Sequence, residues 1–296
     1  MTSRASWTAA DLPSFAGRTV IITGANSGLG AVTARELARV GASVTLAVRD
    51  TAKGQAAAAS MPGSQDRVTV RALDLADLAS VRRFADETPA VDVLINNAGI
   101  MAVPYSTTVD GFESQIGTNH LGHFALTNLL LPKLTDRVVT VSSFMHRMGY
   151  VSLKDLNWES RRYRAWLAYG QSKLANLLFT SELQRRLVAA GSPLLALAAH
   201  PGYSSTNLQG HTGNRVGDAL MRTIGNGLLA TSPDFGARQT LYAASEDLSG
   251  NTFVGPRFAF IGRTGSVGRS LLAKRGSTAA GLWELSEQLT GVQFPL

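Results

Sequence analysis

The chain reads as an α/β protein built on a doubly wound parallel sheet, and three observations predict it. Short apolar runs alternate with helix-like stretches along most of the sequence, a glycine-rich bend follows the first run, and no Pro- or Ser-rich linker divides the 296 residues. A composition of 45% hydrophobic and 17% charged residues with 29 glycines suits one domain over residues 1–296, with many tight turns.

The first element is the apolar, β-branched run Thr19–Thr23, a buried strand by its composition. It passes directly into Gly24, Ala25, Asn26, Ser27, Gly28, Leu29 and Gly30, after which residues 31–40 carry a helical pattern. Strand, glycine bend and helix in that order make a phosphate loop: glycines let the backbone turn sharply and approach a pyrophosphate, and the helix N-terminus offers free N–H groups. The spacing TGANSGLG differs from the common GxGxxG fingerprint, and such a bend can also be only a turn. Further strands are expected at 42–48, 68–72, 91–95, 137–141 and 193–199. Helices are expected at 51–61, 75–87, 112–131 and 166–190, and again after Arg215 and after Pro233. There is no internal repeat.

With no cysteine in the chain, disulfides and thiolate metal sites are excluded, and a reducing, cytoplasmic location is expected. No apolar stretch approaches the ~18 residues of a membrane helix. The opening MTSRASWTAADLPSFAGR has no signal-like apolar core. The 28 basic and 21 acidic residues give a formal charge of +7, but they are spread along the chain. The main cluster, Arg161, Arg162 and Arg164, reads as a solvated segment, so nucleic acid is not an expected partner. His120 and His123 lie three apart on an expected helix without a nearby carboxylate, so no metal site is expected.

On this frame stand TGANSGLG, Asp74-Leu75, Asn96-Asn97-Ala98-Gly99, Asn119, Val141-Ser142-Ser143, Tyr169-x-x-x-Lys173 and Pro201-Gly202, in that order. The set resembles the short-chain dehydrogenase/reductase family over roughly residues 17–260. Within that family the chain looks like the retinol-dehydrogenase-like branch and is similar to actinobacterial oxidoreductases. The resemblance implies a single-domain Rossmann fold with helices on both faces, and a nicotinamide-dependent interconversion of a carbonyl and an alcohol.

Tyr169 and Lys173 are four apart on an expected helix, so both side chains project from one face. The ammonium would then favour the phenolate of a tyrosine whose ordinary pKa is near ~10. By resemblance, Tyr169 is the acid/base, Lys173 also holds the nicotinamide ribose, Ser143 hydrogen-bonds the substrate oxygen, and Asn119 completes a proton relay. Each has a plainer alternative: a surface helix pair, a serine that closes a strand, and an asparagine that ties neighbouring backbone groups together. The same resemblance assigns Asp74 and Leu75 to the adenine, Asn97, Ala98 and Gly99 to the adenosine ribose, and Pro201, Gly202 and Thr206 to the nicotinamide carboxamide.

Cofactor choice rests on the end of the second strand, where an acid selects NAD(H) and a base accepts the extra phosphate of NADP(H). The sequence there is Ala47-Val48-Arg49-Asp50. By resemblance, Val48 falls where NAD-using members carry aspartate, and Arg49 where NADP-using members place a base. Asp50 has the spacing of an NAD-selecting acid, but it reads as the N-cap of the helix starting at Thr51. NADP(H) is therefore expected ahead of NAD(H).

Ser143 lies 26 residues before Tyr169, further than in most members of the family, as in the retinol-dehydrogenase-like branch. Residues 144–167 then form an excursion whose Met145, Met148, Tyr150, Trp158, Tyr163 and Trp166 either wall a bulky apolar small-molecule substrate or pack on the domain. Residues 203–230, with Gly210, Gly213 and Gly217, resemble a substrate lid. The helices at Phe112 and Trp166 are candidate faces for a homo-oligomer. A different class with the same motifs is an NADP(H)-binding redox sensor that acts through a partner without turnover.

Overall fold

The computed structural model describes residues 6–63, 66–202, 232–259 and 261–296. Its elements in chain order are β1 (Thr19–Thr23), α1 (Gly28–Arg39), β2 (Ser43–Val48), α2 (Thr51–Ala59), β3 (Val68–Ala72), α3 (Leu78–Asp86) and β4 (Val91–Asn96). There follow α4 (Ser114–Ile116), a π-helical stretch (Gly117–Leu121), α5 (Gly122–Leu130), β5 (Leu134–Val141) and a 3-10 turn (Phe144–Met148). The chain ends with α6 (Ala165–Ala189), β6 (Leu195–Ala199), α7 (Pro233–Ser245), β7 (Phe253–Pro256), β8 (Thr264–Ser266) and α8 (Gly276–Thr290).

The strands form one sheet in the order β3-β2-β1-β4-β5-β6-β7-β8, parallel throughout except for β8. The order reverses beside β1, which pairs with both β2 and β4, so a crevice opens at the carboxyl ends of β1 and β4. Both faces are covered, which is why the strands read as continuous apolar runs rather than alternating ones. On one face Val20, Ile22, Val93 and Ile95 pack with Leu37 of α1 and Leu241 of α7. On the other, Ile21 and Leu94 pack with Phe84 of α3, Phe124 of α5, Phe179 of α6 and Trp283 of α8. Neighbours in sequence thus divide between the two faces, as the two-residue period of a strand requires.

The expected helices begin and end where local bonds set them. The first starts at Gly28 rather than 31, which puts Gly28, Leu29 and Gly30 inside its opening turn. The third starts at Leu78 rather than 75 because Asp77 caps it, accepting the Ala79 N–H at 2.9 Å. The long helix expected over 112–131 is broken by the π-helical stretch around Asn119, a distortion that tends to mark functional positions. Three elements were not expected: β7, β8 and α8. Among the described residues, no helix is long and apolar enough to cross a membrane. The expected lid at 203–230 and the helix after Arg215 lie outside the described residues.

Candidate active site

The carboxyl end of β1 is a cradle that side chains would fill. Gly24 has a φ of +65°, and a methyl placed on it would sit 2.9 Å from the Ala98 Cα. One on Gly30 would lie 2.5 Å from Asn97 Nδ2 and 2.9 Å from the Gly24 carbonyl oxygen. Gly28 also takes a positive φ, +54°. Ser27 stands at the N-cap position of α1, yet its hydroxyl makes no capping bond. The first-turn N–H groups of α1 are therefore not closed by a side chain, which suits an incoming phosphate. Asn26 is half-buried beside them. Shape and donor set together fit the diphosphate of a dinucleotide.

Thr23 joins this loop to the end of β4. Its hydroxyl oxygen accepts the Asn97 and Ala98 N–H groups, both at 2.9 Å, while Asn97 Nδ2 donates to the Thr23 carbonyl at 2.8 Å. The Thr23 hydroxyl also meets His123 Nε2 at 2.8 Å, and His123 Nδ1 faces the Asn119 carbonyl at 3.0 Å. A carbonyl only accepts, so Nδ1 carries the proton and Nε2 takes the threonine's. Burial pushes the His123 pKa down to about 4, which keeps the ring neutral. His123 is therefore the bridge between the glycine loop and Asn119, a role its position on the helix alone does not show.

Beyond β2, the two candidate selectors separate. Arg49 is exposed, and no hydrogen bond or ion pair of its side chain occurs among the described residues. Asp50 caps α2, accepting the Lys53 N–H at 3.0 Å and pairing with Lys53 Nζ at 3.1 Å. Those bonds hold the Asp50 carboxyl below its usual pKa range. Substituting Asp50→Ala is thus expected to lower the thermal midpoint slightly and to leave the ratio of NADPH to NADH affinity unchanged, a result read from melting curves and paired fluorescence titrations. Asp74 follows β3 and is half-buried, its Oδ1 accepting the Ala76 N–H at 2.9 Å. Leu75 is buried, and its backbone leaves no room for a side chain at Gly122.

The chemistry-bearing side chains converge at the end of β5. Tyr169 and Lys173 lie on α6, 7% and 4% exposed, and Lys173 Nζ stands 5.7 Å from the Tyr169 ring centroid. Lys173 Nζ donates to the Val141 carbonyl at 3.2 Å. Ser142 and Ser143 part company there. The Ser142 hydroxyl donates to the Lys173 carbonyl at 2.8 Å and pins α6 to β5, whereas the Ser143 hydroxyl lies on the side of the Tyr169 phenol and accepts the Met145 N–H at 3.2 Å. The close approach depends on two glycines: the backbones of Gly149 and Gly170 touch, with no space for a side chain on Gly149. Trp166 packs edge-on against Tyr169, with centroids 6.4 Å apart.

The direction of the Tyr169 shift corrects the sequence expectation. Burial pushes the phenol up to about 12, against which the nearby Ser143 hydroxyl works, and the same burial brings the Lys173 ammonium down to about 8. Loss of water outweighs the neighbouring cation, whose head group is turned to the Val141 carbonyl. The phenol is therefore protonated at neutral pH.

Asn119 faces this pair from the π-helical stretch. A methyl on Gly99 would lie 3.1 Å from Asn119 Oδ1 and 3.3 Å from Lys173 Nζ. The Asn119 amide clips the chain after β4: Oδ1 accepts the Ile100 N–H at 2.8 Å, and Nδ2 donates to the Ile100 carbonyl and to Ser172 Oγ, both at 2.9 Å. At the end of β6, Gly202 has a φ of +75° and donates its N–H to His200 Nδ1 at 3.3 Å, fixing the turn after Pro201. Thr206 lies outside the described residues.

The six apolar residues of the excursion divide. Met145 and Trp166 adjoin Ser143 and Tyr169. Trp158 and Tyr163 pack on the domain, the first under Arg161 at 3.7 Å and the second bonding Glu113 and Gln115 through its hydroxyl. Burial holds the Glu113 carboxyl above its usual range. Met148 and Tyr150 are exposed.

The sequence model of the short chain dehydrogenase family matches residues 18–216. Human retinol dehydrogenase 13 is 44% identical over 295 residues, covering 94% of this chain and 86% of that protein. The crystal structure of an uncharacterized protein from Mycobacterium Paratuberculosis is 69% identical, covers 99% of this chain and 100% of the other, and superposes with a TM-score of 0.87. An NAD(P) dependent gluconate 5-dehydrogenase from Beutenbergia cavernae, solved with bound NADP, is 25% identical over 82% of this chain and 96% of its own, with a TM-score of 0.64.

Proposed function

The chain belongs to the short-chain dehydrogenase/reductase family, in its retinol-dehydrogenase-like branch, and from that premise we propose that it is an NADP(H)-dependent oxidoreductase interconverting a carbonyl and an alcohol. The observation that carries the reading is the buried cluster at the end of β5: the Tyr169 phenol with Lys173 on the same helix face, Ser143 nearby and Gly99 close to Lys173 and Asn119. Nicotinamide supplies or takes the hydride. Tyr169 Oη donates a proton to the substrate oxygen in reduction and takes one back in oxidation. Ser143 Oγ donates to the same oxygen as negative charge develops there. The Lys173 ammonium holds the ribose hydroxyls, and Asn119 keeps the loop at Gly99 and Ile100 against α6 as its end of a proton relay. Asn26, Ser27 and the α1 N-terminus hold the diphosphate, while Asp74, Leu75, Asn97 and Ala98 line the adenosine side and Pro201 and Gly202 the nicotinamide side.

The preference for NADP(H) rests on Arg49, whose guanidinium makes no hydrogen bond or ion pair among the described residues, where the Asp50 carboxylate is held by Lys53. A charge-assisted bond to a phosphate contributes about 1.5–3 kcal/mol, so Arg49→Ala is expected to weaken NADPH on the order of 10- to 100-fold. NADH should change little. Equal losses for the two nucleotides in fluorescence titrations would remove Arg49 as the selector. The reading as a whole is tested by titrating the protein with NADPH and NADH and then adding a panel of apolar aldehydes and ketones to the tighter complex. Substrate-dependent oxidation of NADPH supports the oxidoreductase. Tight binding with no oxidation across the panel, together with ligand-dependent capture of a protein partner, is the outcome expected of a redox sensor. The lack of cysteine suits the cytoplasmic, reducing location proposed, and Trp166 edge-on to Tyr169 suits an apolar substrate.

A further inference from the structure

His146 lies in the 3-10 turn that follows Ser143 and is 1% exposed. Its Nδ1 faces the Ser143 carbonyl at 2.7 Å, and its Nε2 meets the Ser270 N–H at 3.2 Å. The tautomer follows from the partners: a carbonyl can only accept and an amide can only donate, so Nδ1 bears the proton and Nε2 the lone pair. The ring is held edge-on by Phe253, with centroids 5.7 Å apart, and Phe253 also packs against His200, which fixes the Pro201–Gly202 turn. Arg147, Arg269 and His200 supply the charged and titratable surroundings, and burial keeps the His146 ring in its neutral form.

Ser143 itself has few fixed points. Its hydroxyl oxygen accepts the Met145 N–H at 3.2 Å, and its carbonyl accepts the His146 N–H at 3.1 Å. The imidazole adds a shorter bond to the Ser143 carbonyl and, through Nε2, carries the link across the fold to the segment before α8. Building on the oxidoreductase reading, we infer that His146 is a positioning residue for Ser143: it clamps the serine backbone to the C-terminal segment and so sets where the serine hydroxyl lies beside the Tyr169 phenol.

Three substitutions dissect the clamp. His146→Asn places an amide N–H where Nδ1 stood and offers nothing to Ser270. His146→Gln reaches the Ser270 N–H and drops the bond to Ser143, and His146→Leu loses both. Misplacing a reacting group by an ångström costs on the order of 10²-fold in rate. Single-turnover rates on saturating NADPH are therefore expected to fall about that much in the Leu and Gln variants and to recover most of the loss in the Asn variant. NADPH affinity should be unchanged in all three. A second readout needs no turnover: with tyrosine labelled at ¹³Cζ, the Tyr169 resonance, assigned by its absence from Tyr169→Phe, should move in the Leu and Gln variants and return in Asn. Activity and resonance that follow the thermal midpoint across the series, or a Gln variant as good as Asn, would overturn the inference and leave His146 a packing residue. If the wild type turns over no substrate, the oxidoreductase reading fails by itself, and the resonance still decides the clamp.

Discussion

Tyr169→Phe is expected to lower turnover by on the order of 10²- to 10⁴-fold while leaving NADPH affinity as it was. The substitution removes one oxygen and keeps the ring. The ring holds the packing: it is 7% exposed, edge-on to Trp166, with Lys173 Nζ 5.7 Å from its centroid. Ser143 retains its bond from the Met145 N–H. What disappears is the proton donor, and a phenol pushed up to about 12 by burial is protonated and ready to donate at neutral pH. Pre-steady-state mixing with a reactive carbonyl reads the effect. Undiminished turnover would remove Tyr169 from the chemistry, and loss of NADPH binding with it would point to a folding defect instead.

Gly30→Ala should do the reverse, weakening NADP(H) before it touches the chemistry. The added methyl would meet Asn97 Nδ2 at 2.5 Å and, at 2.9 Å, both the Ala25 Cα and the Gly24 carbonyl oxygen. Asn97 Nδ2 can give way only by surrendering its bond to the Thr23 carbonyl, and the two backbone atoms belong to the phosphate loop itself. Overpacking of this kind costs about 1–3 kcal/mol. If the strain is relieved by opening the loop, the dissociation constant for NADPH rises on the order of 10- to 100-fold. At saturating NADPH the single-turnover rate should stay within a few-fold of the parent. A variant that binds NADPH as tightly as the parent would show that the cradle at Gly24 and Gly30 is not where the diphosphate sits.

The parts of this protein that were legible in its sequence are those held by local relations. The glycine bend before α1, the Tyr169 and Lys173 pair and the Asp50 cap each depend on residues within a turn or two of one another, so type and spacing carry them. Helix ends were legible only to within a turn. The break at Gly117–Leu121 has no signal in the apolar pattern around it.

What escaped depends on distance along the chain. Residues 276–290 pack on α6 through Trp283, stacked on Phe179 at 5.7 Å, a contact across more than a hundred residues. β7 and β8 are four and three residues long, too short for a pattern to declare. His146 bonds Ser270, and His123 bonds Thr23, so neither histidine announces its partner. The Tyr169 shift was misjudged for the same reason: the spacing reveals the cation, but the burial that outweighs it is a property of the assembled core.

The central claim is hydride transfer between a nicotinamide and a carbonyl carbon at Tyr169. The most direct measurement is to incubate the protein with NADPH deuterated at C4 and a panel of apolar aldehydes and ketones, then to look for deuterium in the alcohol products by mass spectrometry. Label is expected on the carbinol carbon of at least one product, with far less formed by Tyr169→Phe in the same time. Tight NADPH binding with no labelled alcohol from any member of the panel, or equal labelling by Tyr169→Phe, would contradict it.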